Sequence, residues 1–169
     1  LKDNLEFIEF KLLNSGITTN LEFSKKTKAG TFKSKILNTN LKFDFEYDNE
    51  RIKIFNSYFR SKNLSFDNET LITLRPFFEI ETNFELEEFN SEMLKKINFV
   101  KLLEIENIIK KINSKNTIIF KPKKFSKSFI DDLNLKVDLA HGSLNYEKDF
   151  LIEKNFFKCK GDLNLLEEY

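Results

Sequence analysis

Apolar and polar residues alternate one by one along most of this chain. The clearest case lies in residues 129–166, where Leu133, Leu135, Val137 and Leu139 alternate with Asn134, Lys136 and Asp138. Side chains on a strand point to opposite faces with period 2, so this segment predicts a strand with one aliphatic and one water-soluble face. Ala140-His141-Gly142-Ser143 reads as a turn, after which Leu144 and Tyr146 resume the pattern. Glu147-Lys148-Asp149 reads as a polar reversal. A last run carries Phe157, Cys159, Leu163 and Leu165, with Gly161 where a side chain is missing.

The first half repeats this grammar. Ile8, Phe10 and Leu12 alternate with Glu9 and Lys11, Asn14-Ser15-Gly16 is a turn, and Ile17, Thr19, Leu21 and Phe23 share the next face. A polar turn over residues 25–30 precedes a strand holding Phe32 and Ile36. Leu41, Phe43, Phe45 and Tyr47 alternate with Lys42, Asp44 and Glu46, and Asp48-Asn49-Glu50 closes a hairpin. Its partner opens with Ile52 and Ile54 and continues irregularly through Tyr58 and Phe59. Leu64 and Phe66 read as a short strand, and Asp67-Asn68-Glu69 as a turn. Pro76 marks a bend or an edge. Beyond it Phe78, Ile80, Phe84 and Leu86 lie on one face of a long strand.

The period changes at Phe89. Met93, Leu94 and Ile97, then Leu102, Ile105, Ile109 and Ile112, recur every three or four residues. Asn90 or Ser91 suits an N-cap, and Lys110, Lys111 and Lys115 suit the C-terminal end of the helix dipole. One helix or two short ones are therefore predicted over residues 91–112. Residues 117–120 return to strand, and residues 122–127 form a basic connector. The expected fold is mainly β: a curved antiparallel meander of nine to twelve strands with one helical insertion at 91–112. It forms a single β-rich domain over residues 1–169.

Composition sharpens this picture. Apolar surface is carried by Phe, Leu and Ile, with 20 Phe, no Trp and one Met, which favours sheet over helix. Charged residues make up 33% of the chain, but net charge is +1 and the two signs are interleaved, which argues against a nucleic-acid partner. The chain opens on Leu1 and closes on a strand-like stretch, so it reads as a piece of a longer protein. No apolar run approaches the roughly 18 residues that span a bilayer, and no signal peptide is visible.

Candidate chemistry is sparse. His141 is the only histidine and sits in a turn, without the carboxylate or thiol neighbours of a metal site. Cys159 is the only cysteine, has no adjacent base, and is expected to point to the apolar side as a small buried residue. Lys121, Lys123, Lys124 and Lys127 beside Phe120 and Phe125 could contact RNA or anionic head groups, but suit better a solvated edge that discourages sheet-to-sheet pairing. Asn63-Leu64-Ser65 and Asn68-Glu69-Thr70 match the glycosylation sequon, an expected coincidence in so asparagine-rich a chain. No phosphate-binding loop, acid pair or nucleophile elbow occurs, so neither an enzyme nor a cofactor is expected.

What remains is the apolar face. It could be half of a dry core between two packed sheets. It could instead line a groove for acyl chains. A helix over 91–112 would be roughly 33 Å long at 1.5 Å per residue and could not cover ten strands. The groove reading predicts that Leu41, Phe43, Phe45, Phe78, Ile80, Phe84, Leu133, Leu135, Val137 and Leu139 line one concave surface.

Residues 129–144, with their strand, Gly-containing turn and following strand, resemble the C-terminal part of AsmA-like proteins. Phe157-Lys158-Cys159-Lys160-Gly161-Asp162-Leu163-Asn164-Leu165 fits the closing Gly-Asp/Asn-Leu strand of that pattern, and Ile54-Phe55-Asn56-Ser57-Tyr58-Phe59-Arg60-Ser61 resembles its repeated strands. The resemblance covers residues 30–169 in pattern. It implies a non-enzymatic, bridge-like lipid transfer module with a taco-shaped groove for phospholipid. It further implies a place in the periplasm of a Gram-negative bacterium, tethered to the inner membrane by an anchor outside this fragment and supporting outer-membrane assembly. A lipopolysaccharide-transport-type β-jellyroll and a structural or adhesive β domain with a dry core are the alternatives.

Overall fold

The computed structural model describes residues 5–12, 17–89, 112–122 and 130–164. Of these, 79% lie in strands and none in a helix. The period-2 alternation becomes eleven strands. They are β1 (Leu5–Leu12), β2 (Ile17–Ser24), β3 (Ala29–Ile36), β4 (Thr39–Tyr47), β5 (Arg51–Arg60), β6 (Leu64–Thr73), β7 (Glu79–Phe89), β8 (Asn113–Phe120), β9 (Asp132–Ala140), β10 (Ser143–Ile152) and β11 (Asn155–Asn164). They form one open sheet in sequence order, from β1 at one edge to β11 at the other.

Local chemistry sets the reversals. Asp48 ends β4 by accepting hydrogen bonds from the backbone N–H groups of Glu50 and Arg51, both at 2.7 Å. Those bonds favour the ionised carboxyl and hold it below the usual carboxylate range. His141 and Gly142, at φ 51° and 77°, make a two-residue turn between β9 and β10. Glu153 and Lys154, at φ 47° and 68°, do the same between β10 and β11. Positive φ at both central residues matches the twist of a two-residue hairpin.

Several expectations need correction. The meander is not wholly antiparallel: β7 and β8 run parallel, with Glu79 opposite Asn113 and Leu86 opposite Phe120. The expected turn at Asp67-Asn68-Glu69 lies inside β6, where Asp67 joins Arg60 at 2.6 Å and Asn68 donates to the Asn83 carbonyl at 3.2 Å. The expected reversal at Glu147-Lys148-Asp149 lies inside β10 for a similar reason, since Lys158 on β11 pairs with both acids. Lys115 belongs to β8 rather than to a helix end and pairs with Glu79 at 2.9 Å. The helical insertion at 91–112 lies outside the described residues, apart from Ile112, which has no regular structure. Residues 123–127 of the basic connector also lie outside them.

The sheet is a single layer among the described residues. Phe120, at 4% exposure, is the one buried apolar side chain there, and no large side chain is fully buried. The chain exposes 13038 Å². A compact monomer of 20.1 kDa would expose about 8,700 Å².

Candidate hydrophobic binding face

Residues opposite one another across a ladder share a face, so the pairing registers divide every strand between two faces. One face carries the apolar set. Leu41, Phe59, Phe66, Leu86, Phe120, Leu133, Phe150 and Phe157 stand opposite one another in turn, an unbroken apolar row across eight strands from β4 to β11. At roughly 4.8 Å per strand the row is about 34 Å long. Aromatic pairs knit it and its neighbours. Phe59 stacks on Phe66 at 5.1 Å between centroids, Phe66 meets Phe84 edge-on at 5.3 Å, and Phe32 stacks on Phe43 at 4.9 Å. At the far end Phe150 stacks on Phe157 at 5.2 Å.

Nine of the ten predicted lining residues fall on this face: Leu41, Phe43, Phe45, Ile80, Phe84, Leu133, Leu135, Val137 and Leu139. Ile80 stands opposite Ile72 and Ser114, and Phe84 opposite Asn68 and Ile118. Leu135 and Val137 continue the same face into β9. Phe78 precedes β7 and is 40% exposed. Phe59 and Phe66 complete the central row beside Leu86, which alternation already places on one face with Ile80 and Phe84. A bulge at Asn56, with φ 47°, shifts register between Ile54 and Ser57 and hides the parity of Phe59. A second shift, between Leu86 and Glu88 at the end of β7, leaves the parity of Phe66 and Leu86 intact, and Phe66 is set apart instead by the turn expected at Asp67-Asn68-Glu69.

The centre of the face is polar. Ser57 on β5 donates to the Asn68 carbonyl, Thr70 donates to the Asn68 Oδ1 at 3.0 Å, and Thr70 lies 3.4 Å from the Thr82 hydroxyl. On β8, Asn116 donates to Ser114 Oγ at 3.0 Å and to the Val137 carbonyl at 3.2 Å. This patch satisfies itself within the sheet, so it presents few free donors to a ligand.

The opposite face is charged. Lys115 bridges Glu79 and Glu81, Arg60 bridges Asp67 and Glu87, and Lys158 bridges Glu147 and Asp149. Hydrogen bonds from Lys158 and Lys160 hold the Glu147 carboxyl down at about 2. Asp44 is also lowered, first by the Thr31 hydroxyl at 2.8 Å. A shallow open hollow on this face, about 610 Å³, is lined by Tyr58, Arg60, Asp67, Glu69, Asn83 and Glu85 among others. Its arginine is already committed to two carboxylates and to the Phe59 and Phe66 carbonyls.

Cys159 lies on the apolar face as expected, but it is exposed, because β11 is an edge strand with no neighbour beyond it among the described residues. Its Sγ is 3.9 Å from the Tyr146 hydroxyl. His141 is an exposed turn residue whose backbone N–H donates to Asn113 Oδ1 at 3.2 Å. Among the described residues no group of three His, Cys, Asp or Glu side chains is placed to hold a metal. Comparison with protein-family models, with curated proteins and with solved structures finds no match.

Proposed function

We propose that the apolar face binds the acyl chains of phospholipid, and that the chain is a non-enzymatic lipid-binding and transfer module of the AsmA-like kind. One observation carries the reading: an apolar row spans eight adjacent strands with no second layer over it among the described residues. Burying an acyl chain there contributes about 0.8 kcal/mol per CH₂ and needs no directional partner. That suits a face whose polar centre is already hydrogen-bonded internally. The sheet would curl around this face into a groove, leaving head groups at the rim in water. No residue is assigned a catalytic role and no cofactor is proposed. The proposed setting follows the same resemblance: a periplasmic location, with attachment to the inner membrane through a segment outside this chain.

The test places a photo-crosslinking amino acid at Phe45 or Val137 and adds labelled phospholipid. Capture of lipid at both positions supports the reading. Folded protein that captures none, with both positions crosslinking to protein instead, establishes a dry core between packed layers.

A further inference from the structure

We propose that Lys148 pairs with the anionic head group of a phospholipid whose two acyl chains lie along the apolar rows that end beside it. This rests on the acyl-chain reading and names the head group that the face would select. In the ladders from β2 to β11, Lys148 is the one charged side chain on the apolar face among the described residues. It stands between Leu135 on β9 and Cys159 on β11, half-buried. Its neighbours in sequence, Glu147 and Asp149, belong to the opposite face, where Lys158 holds both. No carboxylate among the described residues pairs with Lys148. Its ammonium lies instead over the Phe150 ring, 4.7 Å from the centroid.

Two apolar rows lead to this point. Leu86, Phe120, Leu133 and Phe150 stand opposite one another from β7 to β10. One step along the strands, Phe84, Ile118, Leu135 and Lys148 do the same. Each row covers three strand spacings, roughly 14 Å. Two rows side by side suit the two chains of a phospholipid, and both end at the ammonium and the ring beneath it. Tyr146 stands at the same end of the face. Its ring lies over Gly161, where a Cβ would come within 2.6 Å of three ring and hydroxyl atoms, and its hydroxyl is 3.9 Å from the exposed Cys159 Sγ. The absent side chain at Gly161 gives that ring its place. Ammonium and phenol are both donors, which phosphate oxygens accept.

Charge then selects the occupant. Covering this face with acyl chains, or with any other apolar layer, strips water from around Lys148. A buried ammonium is costly unless it is paired. An anionic head group supplies the partner. A choline head group offsets its phosphate with its own cation. A second copy of this face would bring no carboxylate from β2 to β11, only another lysine.

Equilibrium binding of monomeric short-chain phosphatidylglycerol and phosphatidylcholine, equal in chain length, to the whole chain tests this. The unaltered protein should bind phosphatidylglycerol about fivefold to tenfold more tightly, as one close charge pair near the surface allows. Added salt should erase that preference while phosphatidylcholine still binds. Lys148→Met should erase it too, and Lys148→Arg should keep it. Equal binding of the two lipids by the unaltered protein, or a preference that survives Lys148→Met, would overturn the inference and leave the acyl-chain reading standing. Binding of neither lipid, or competition by glycerophosphoglycerol alone as strong as by the lipid, would overturn both. The salt measurement needs no substitution, so the inference stays testable even where a variant folds poorly.

Discussion

On β7 and β8, Glu79 and Glu81 share Lys115 on one side of the sheet, while on the other side Ile80, Phe84 and Ile118 stand beside Ile72, Phe66 and Leu135. The same alternation builds both faces, yet they meet water differently. The charged face is complete as it stands: acids and bases on adjacent strands neutralise each other, and water solvates the rest. The apolar face is not. A strand layer with one hydrophobic side is stable when that side meets another layer. Eleven strands at about 4.8 Å and roughly eight residues at 3.3 Å give a face of about 1,400 Å², its polar centre included. The largest apolar patch on an ordinary monomer is about 300–600 Å². That difference between the faces is the ground for proposing the apolar one as the binding face.

The sharpest break in that contrast is Phe66→Ala. Phe66 touches Phe59 and Phe84 in the middle of the apolar row, so losing its ring should cost about 3 kcal/mol. Lys35→Ala, on the charged face opposite Asn40, should stay within about 0.5 kcal/mol. Urea unfolding midpoints measure both. Equal, small effects would mean that the row is fully solvated and contributes no packing. Next comes a neighbouring pair on β9. Val137→Asp places a charge among Asn116, Leu135 and Tyr146 and should cost about 2 kcal/mol together with co-purified lipid. Asp138→Asn, one residue on and on the other face, should change neither.

The architecture was legible because alternation is a direct read-out of the strand's two faces. Leu133, Leu135, Val137 and Leu139 keep it without interruption and land together in β9. Two polar triplets were misleading, although Asp48-Asn49-Glu50 does mark a reversal. Glu147-Lys148-Asp149 has the composition of a turn, but Lys158 and Lys160 opposite make it a strand. The true reversal, Glu153-Lys154, holds two positive-φ residues without Gly or Asn, and so carries no turn signal. The parallel step at β7 and β8 was hidden for another reason. Strand order and direction depend on which strands meet in space, and alternation is silent on that. Of the site, the lining residues in regular strands were readable, whereas Phe59 was lost behind the first of the two bulges, at Asn56, and Phe66 behind the turn expected at Asp67-Asn68-Glu69.

Those bulges supply a smaller test. Asn56 sits at φ 47° and donates to Asp44 at 3.1 Å, so the bulge depends on a left-handed residue that asparagine tolerates. Asn56→Val should destabilise by about 1–2 kcal/mol, because a β-branched residue is strained there. Asn56→Gly should recover most of that, losing only the Asp44 bond. If valine costs nothing, the bulge relaxes freely, and the alignment of Phe59 with Leu41 does not depend on it.

The smallest expected effect lies on the charged face and concerns acid. Glu147 has a folded value of about 2, against an ordinary 4.5, because Lys158 and Lys160 donate to its carboxylate at 2.7 and 3.0 Å. A depressed carboxyl contributes stability that is fully present above its unfolded value and is lost as pH falls toward its folded one. The loss should therefore fall between about 4.5 and about 2, and should be felt first where β10 holds β11. Because these side chains are solvated, the contribution is that of a screened surface network. Carboxyl-carbon NMR should place the Glu147 titration near 2. Lys158→Met should move it back toward 4.5, with Lys160 retaining part of the shift. Amide exchange of β11 at pH 3 should rise more than that of β5, whose two neighbours hold it on both sides. A Glu147 titration near 4.5 in the unaltered protein would show that Lys158 and Lys160 are solvated singly, leaving ion pairing on the charged face to bridges such as those of Lys115 and Arg60.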